Sequence, residues 1–419
     1  MARNILKFFK RAFFEGAKKT AATRDFRNAS NSKFEDLARY DRDELRARAR
    51  WLKANNPIMS NIDETIINNV IGKGIEAQIG NSTVEDKFVE WCKTCDLTGR
   101  LQFKDMQRVI MDTRFVDGEI LIYKKITKDG LKIQLIEADQ IDTYKGENGL
   151  KLDKDGRVTA YYIKTNDGTL EIDAKHIINY YKTERPSQYR GVSEYSRAVI
   201  DIKNFQGFVT ANIQSLRARA NIAYVVEGTA TDPFNSGVTP YEELQEINGA
   251  FVHYLNNGES INALDSSTTP INFKEFVEST VRMIAVARNV SYELAFRDFS
   301  RVNFSSARAS LIQDNKRFDT EQRHIIEYVL APIFWAWYEV EELRGNVPPK
   351  RPTLNWITPV REWVKPTEDL KVTLDLIDRN LKTYTEAAKE RGMDFEELLK
   401  MRQEEEKMIK KYQLQKEEA

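Results

Sequence analysis

Cysteine is almost missing from this chain: Cys92 and Cys95 are the only two in 419 residues. So low a count excludes a disulfide-built scaffold and fits a reducing cytoplasm. The two stand in Trp91-Cys92-Lys93-Thr94-Cys95, a spacing shared by redox pairs and half zinc sites. A zinc site needs two more ligands, and the three histidines (His176, His253 and His324) are scattered without ligand spacing. Phe88 and Trp91 just before the pair mark an apolar helix face. Two buried small side chains are therefore the expected state.

Net charge is missing too. Lys plus Arg and Asp plus Glu number 64 each, so no global basic excess advertises a grip on nucleic-acid phosphates. This weighs against a sequence-reading DNA binder and suits an ordinary soluble protein. Long apolar runs are absent as well, and none approaches the length needed to span a bilayer. At the start, Ile5, Leu6, Phe8, Phe9, Ala12, Phe13 and Phe14 lie among Arg3, Lys7, Lys10, Arg11, Lys18 and Lys19. That is a basic amphipathic helix, able to touch a membrane surface or to dock onto a partner. It lacks the apolar core and cleavage site of a secretory signal. Residues 20–32 read as a tether.

Catalytic sets are likewise not found. Gly72-Lys73-Gly74 has no following helix and no P-loop lysine-serine pair, so it reads as a turn into a strand at 75–79. Asp112, Asp117, Glu119, Glu137 and Asp139 could be imagined as metal ligands of a nuclease. They fall among alternating strands, on which carboxylates are expected to face solvent. Neither a nucleophile triad nor a Walker lysine is present, so no enzyme activity, cofactor or metal is expected.

What the chain does have is α+β patterning. A helix at 45–55 carries Arg46, Arg48, Arg50 and Lys53, expected as a solvated face, and Asn56-Pro57 ends it. Helices follow at 58–71, 84–95 and 103–113. Strands are expected from Ile120 onward, with Lys128-Asp129-Gly130 as a hairpin signal, further strands at 158–164 and 169–172, and 176–181 closing the sheet. Two long helical patterns then flank a compact insert. The first, 193–220, has a stripe through Tyr195, Val199, Ile202, Phe205, Val209, Ile213 and Leu216. The second, 273–289, repeats it at Phe273, Phe276, Val277, Thr280, Val281, Ile284 and Ala285. Between them a strand at 223–227, a Gly/Thr/Asp/Pro-rich loop at 228–240 and a helix at 241–253 are expected. Two helices alone bury too little apolar surface to stand in water, so the pair needs neighbours, and copies of itself are the economical choice.

After the second helix, residues 291–302 leave the helical pattern and re-enter it near Ser305, with Asn303 or Ser305 as N-cap. A long helix at 306–343 should kink at Pro332, whose ring removes a backbone hydrogen bond. The aromatics of Phe334-Trp335-Ala336-Trp337-Tyr338 read as core or subunit contact. Two further helices are expected at 368–391 and 394–411, and the tail from 403 to 419 is charged on all sides.

Several of these segments together resemble the portal proteins of tailed bacteriophages, of the lambda type. They are Arg185-Pro186-Ser187-Gln188-Tyr189-Arg190-Gly191-Val192-Ser193, Asn303-Phe304-Ser305-Ser306-Ala307-Arg308, residues 91–96 with Gly99, Gly118-Glu119 and Leu135-Ile136-Glu137-Ala138-Asp139. The blocks keep their order from about Ala47 to about Leu399, and specificity lies in that colinear set. The resemblance implies a portal fold: an N-terminal arm and tether (1–33), an α+β wing (34–192), a first stem helix (193–221), a small α/β clip (222–272) and a second stem helix (273–290). A tunnel loop (291–305), a long helix with a link (306–366) and a helical crown with a charged tail (367–419) follow. It implies a dodecameric ring at one capsid vertex, a channel for packaging and ejecting double-stranded DNA without sequence specificity. Terminase, scaffold, major capsid and head-tail adaptor proteins are the implied partners, in the virion and, during assembly, in the host cytoplasm. The implied tunnel-loop residues are Arg297, Asp298, Phe299, Ser300 and Arg301, and Lys203, Arg217, Lys274 and Arg282 are stem candidates for the channel wall. Electroneutrality suits a conduit, since each tight phosphate contact would act as a brake. A membrane or scaffold adaptor working through residues 1–19 is the alternative.

Overall fold

The computed structural model describes residues 29–227, 246–247, 250–255, 273–300, 303–360 and 366–411. The basic amphipathic arm, the 228–240 loop, Arg301 and the last eight residues, 412–419, lie outside them. In chain order come α1 (Phe34–Ala38), α2 (Arg42–Asn55), α3 (Pro57–Val70), β1 (Glu76–Ile79), α4 (Ser82–Thr94) and α5 (Phe103–Asp117). The chain then turns to β2 (Glu119–Thr127), β3 (Gly130–Glu137), β4 (Leu150–Leu152), β5 (Val158–Thr165), β6 (Gly168–Asp173) and β7 (Ile177–Tyr181). Next are α6 (Val199–Asn221), β8 (Ile222–Glu227), β9 (Glu246–Ile247), β10 (Ala250–Leu255), α7 (Phe273–Ala287), α8 (Tyr292–Phe296) and α9 (Phe304–Ile325). A π-helical turn at Ile326–Leu330 leads into α10 (Ala331–Leu343), followed by β11 (Leu354–Ile357), α11 (Pro366–Asp378), α12 (Tyr384–Lys389) and α13 (Phe395–Lys411).

The main core is a helical layer closed by one sheet. Ile58, Met59, Ile62, Ile66 and Val70 line one face of α3, and they meet Met106, Ile110 and Phe115 of α5 and Phe318 and Ile325 of α9. Asn56 starts α3 by accepting from the Met59 amide at 3.0 Å, with Pro57 behind it where no amide hydrogen is needed. Phe88, Trp91, Phe103, Phe334 and Trp337 form an aromatic nest with ring centroids 5.0–6.2 Å apart, and the aromatics of α10 are thus core. Antiparallel β3-β2-β7 covers this layer. A second antiparallel sheet, β4-β5-β6, packs on its far side through Leu121, Ile136, Tyr161, Ile163 and Ile172.

Several expectations change. The strands expected to make one sheet make two, and β7 pairs with β2 rather than closing onto β6. Residues 354–357 add a strand that pairs with β1. The expected helix at 241–253 is replaced, among the described residues, by β9 and β10, and β10 runs parallel to β8. The β-branched and aromatic run Phe251-Val252-His253-Tyr254 suits that pairing better than a helix. Helix α6 starts six residues late, because residues 194–198 form turns. The expected helix at 368–391 breaks at Asn380, held at φ 58°. Pro332 is preceded by a π turn, in which the Ala331 amide reaches back to the Ile326 carbonyl. The arginines of α2 are not a solvated face either: Arg42 and Arg46 are buried, Arg50 and Lys53 reach across to carboxylates, and exposed Arg48 pairs with Glu44.

Candidate functional site

Helices α6 and α7 lie against each other through Phe208, whose ring stands 3.9 Å from that of Phe276 and 5.7 Å from that of Phe273. At the base of the pair Tyr195, Ala198, Ile202, Val281, Ile284 and Ala285 are buried. Farther along, Ile213 and Leu216 of the same stripe are exposed, and near the root Ile200, Met283 and Val286 are exposed on other faces of the two helices. The stripe is covered at its root, half-buried at Phe205, Val209, Phe276 and Val277, and open at Ile213, Leu216 and Phe273. Lys203, Arg217 and Lys274 are exposed on the pair. Arg282 is exposed but engaged: it reaches Glu278 at 2.6 Å and lies 5.4 Å from the centre of the Tyr292 ring.

The segment after α7 is partly helical. Asn289 turns the chain at φ 49°, and Ser291 caps α8 by accepting from the Leu294 amide. Two side chains from elsewhere hold α8 in place. The Asn61 amide donates to the carbonyls of Leu294 and Ala295 at 3.2 and 3.0 Å, and Asp314 accepts from the Ser291 amide at 2.9 Å. Arg297 then ends α8 in the left-handed region at φ 53°, an uncommon conformation for a residue with a side chain. Arg297, Phe299 and Ser300 are exposed, and Asp298 accepts from the Ser300 amide at 3.0 Å. Asn303, not Ser305, caps α9, accepting from Ser306 at 2.8 Å. Residues 297–300 therefore leave the end of α8, and Asn303 opens α9.

Beneath it is a buried ionic cluster that the sequence reading missed. Arg288, at the end of α7, donates to Asp63 at 2.6 Å and to Glu194 at 3.1 Å. Glu194 also meets Arg317 of α9 at 3.2 Å and Arg114 of α5 at 3.3 Å, and Arg114 reaches Glu321 at 2.6 Å. The Tyr195 hydroxyl donates to Asp63 at 2.6 Å. All three guanidiniums lie within 6 Å of the Phe115 ring centre, at 4.7, 5.2 and 5.9 Å. Burial opposes the charge on Glu194, but Arg114, Arg288 and Arg317 outweigh it and hold the carboxyl well below its usual range. Burial pushes the Asp63 carboxyl up, against Arg288 and Lys53. The one sequence signal was a charge set inside an apolar helix face, as at Asp63 between Ile62 and Ile66, and Arg114 between Met111 and Phe115.

Two of the segments that carried the family resemblance, 185–193 and Gly118-Glu119, turn out to touch one another. Gly118 ends α5 at φ 92°, and a Cβ there would stand 2.3 Å from the Val192 carbonyl carbon. A Cβ on Gly191 would stand 2.1 Å from the Gly118 oxygen. The two backbones meet where only glycine fits. Next to them Glu119 and Arg190 are both enclosed and 2.6 Å apart, with Arg190 also donating to the Asn148 carbonyl at 2.8 Å. Gln188 accepts from the Glu184 amide and donates to the carbonyls of Lys182 and Arg190. Asp96 likewise serves the backbone, accepting from the amides of Thr98, Arg100 and Leu101 at 2.9–3.1 Å.

The acidic set is closed in a similar way. Asp117, Glu137 and Asp139 offer oxygens within 4.8 Å of one another, a spacing that suits a cation. The Arg50 guanidinium already fills that place, at 2.5, 3.0 and 2.6 Å, and Lys53 holds Asp112 at 2.6 Å. Against expectation, Glu119 and Asp117 are buried rather than solvent-facing. The residues do not fit a metal centre. Cys95 is buried with its sulfur 3.6 Å from that of Met106, and burial pushes its thiol up to about 12; Cys92 is half-buried.

The family profile described as phage portal protein, lambda family, matches residues 19–322. The chain is 23% identical over 438 residues to the probable portal protein of Halomonas phage phiHAP-1, covering 91% of this chain and 83% of that one. It is 23% identical over 307 residues to the portal protein of Escherichia phage N15, covering 61% and 58%. Among solved structures it is similar to a chain in the neck of an empty GTA particle computed with C6 symmetry. The TM-score is 0.51 at 12% identity, over 82% of this chain and 93% of that one, a likeness of fold.

Proposed function

The chain belongs to the lambda family of phage portal proteins, and on that premise we propose that copies of it form a dodecameric ring at one capsid vertex. Double-stranded DNA is packaged through the ring and later leaves by it. Terminase and the head-tail adaptor dock on it, and scaffold and major capsid proteins hold its outer surface. It acts as a virion component after assembly in the host cytoplasm, and it catalyses nothing itself. The α+β part at 34–192 serves as the wing, and α6 and α7 as the stem. Residues 222–272 serve as the clip, 291–305 as the tunnel loop and 367–419 as the crown.

One observation carries the ring: the apolar stripe of the helix pair is buried at its root and exposed at Ile213, Leu216 and Phe273. Exposed apolar patches of this kind mark association surfaces, and a neighbouring copy offers the complement. The lumen then receives the polar sides, with Lys203, Arg217 and Lys274 facing DNA. Arg282, tied to Glu278, contributes less to the field. Exposed ion contacts are each worth about 1 kcal/mol or less and are screened by salt, which suits a wall past which DNA slides. Negative-stain micrographs of the purified protein should show rings with a central hole. A species that stays monomeric at high concentration would refute this reading.

A further inference from the structure

The sheets β3-β2-β7 and β4-β5-β6 do not close on each other across their whole width. Between them opens a cleft of about 570 Å³, within the size range of ligand sites. Its floor is apolar: Ile136, Ile163 and Ile172 are buried there, Tyr123 is half-buried, and Leu170 of β6 is exposed. Strand β6 borders the cleft, and among the described residues nothing pairs with its outer edge. A bare edge is a template for another strand, and proteins usually blunt it with a proline, a bulge or a charge. The sequence of β6 has no proline, and its pairing with β5 runs without a bulge. Its acidic residues, Glu171 and Asp173, alternate with Leu170 and Ile172 and so point away from the cleft. On that far face Lys151 holds Glu171 at 2.6 Å.

The rim of the cleft is basic. Lys125 lines it from β2 and Lys164 from β5, both exposed. Asp139 lines it too, but its carboxylate is taken by Arg50 at 2.6 Å. Lys164 donates to the Asp139 carbonyl at 3.3 Å, and Lys125 has no ion pair among the described residues. Lys125 also stands directly opposite Lys132 across β2 and β3, a placement in which like charges repel. Lys132 donates to the Thr94 carbonyl. A negative charge brought to the rim from outside would offset the field of Lys125 and Lys164 together.

We propose that this cleft docks an extended segment of another protein, added as a strand to the free edge of β6. The segment is apolar at alternate positions and acidic at its ends. Successive side chains of a strand point to opposite faces, so every second residue enters the cleft over Tyr123 and Leu170. The end carboxylates reach Lys125 and Lys164. Backbone hydrogen bonds to β6 supply affinity, and the apolar floor and the two lysines supply selectivity. The proposal stands apart from the ring, since none of these residues lies on α6, α7 or the segment after α8.

The probe is a fluorescein-labelled peptide of alternating valine and threonine with a pair of glutamates at each end, read by anisotropy on the assembled protein. It should bind at least about tenfold tighter than the same peptide ended in lysines, because like charges set face to face suppress the wrong partner. The glutamate peptide N-methylated throughout cannot pair with β6 and should not bind. K125E/K164E changes exposed positions only and should reverse the preference, taking up the lysine-ended peptide; misfolding does not produce such a gain. No binding by the parent protein, or equal binding of the two peptides, overturns the proposal. Binding of the N-methylated peptide overturns strand addition. An unchanged preference in K125E/K164E puts the site elsewhere and overturns it as well. Binding to dissociated chain that is lost in the assembly means that a second copy fills the cleft, which overturns the foreign partner.

Discussion

Glu119 sits in the interior with its charge intact because Arg190 is enclosed beside it, 2.6 Å away. Burial alone would raise its pKa, but Arg190, Arg42 and the Gly191 amide outweigh that and lower it. A carboxyl depressed in the folded state contributes stability above its unfolded pKa, about 4.3 for glutamate. The contribution is lost as pH falls through the folded value. E119Q leaves Arg190 buried and unmatched, which should cost about 3–5 kcal/mol at neutral pH. Chemical denaturation of both proteins should show that gap at pH 7 and a narrower one toward pH 3; a gap independent of pH would refute the ion pair as its source. At this scale little could be read beforehand. Gly118-Glu119 and Arg190-Gly191 stood out in the sequence as separate blocks, but nothing local says that they meet. Their roles are set by contacts across some seventy residues, and pattern within a window does not reach that far. The burial of Cys95 was legible, since an apolar helix face beside it is a local fact, whereas Cys92 is only half-buried.

At the scale of elements, the break between α9 and α10 shows what pattern can and cannot supply. Pro332 marks a disturbance, because its ring withholds a hydrogen bond from the preceding turn. Its form is set by packing on both sides: Phe318 and Ile325 before it, and Ile333, Phe334 and Trp337 after it, are all buried. A π turn holds one residue more than the α turn it replaces, so both faces point into one core. Tyr328 lies in that turn and is exposed. Deleting Tyr328 should therefore convert the turn to α geometry and leave both apolar faces in place. Deleting Gln313 within α9, also exposed, should rotate everything beyond it by about 100° and remove one face from the core. Thermal unfolding should find the first variant folded within a few degrees of the parent and the second unfolded; the reverse order would refute the packing argument. The helix end at Asn56-Pro57 was legible for local reasons, whereas α5 runs past the expected end at 113 to Gly118 and α6 starts six residues late. The strand at 250–255 was not legible, because its partner β8 is distant in sequence and a two-sided apolar run does not choose between helix and strand.

For the whole molecule, the proposed ring assigns assembly and handling of DNA to different surfaces. In the proposed ring, copies associate through the open apolar stripe of α6 and α7, whereas the segment after α8 exposes Arg297, Phe299 and Ser300. The anchors of that loop, Asn61, Ser291, Asp314 and the Asn303 cap, all lie outside the stretch 297–301. The helix-pair pattern was visible in the sequence, since a stripe repeats every three to four residues. The ionic cluster beneath it was not, since it gathers side chains from α3, α5, α7, α9 and the turn before α6. Shortening 297–301 to a glycine pair leaves every anchor and the whole stripe in place. Rings should form in normal yield, while the fraction of particles that hold a full genome falls at least severalfold, read by particle counting after packaging. Full retention by the shortened protein would move the channel-facing role away from this loop. Loss of rings would mean that assembly depends on the loop as well as on the stripe, and the separation of the two surfaces would fail.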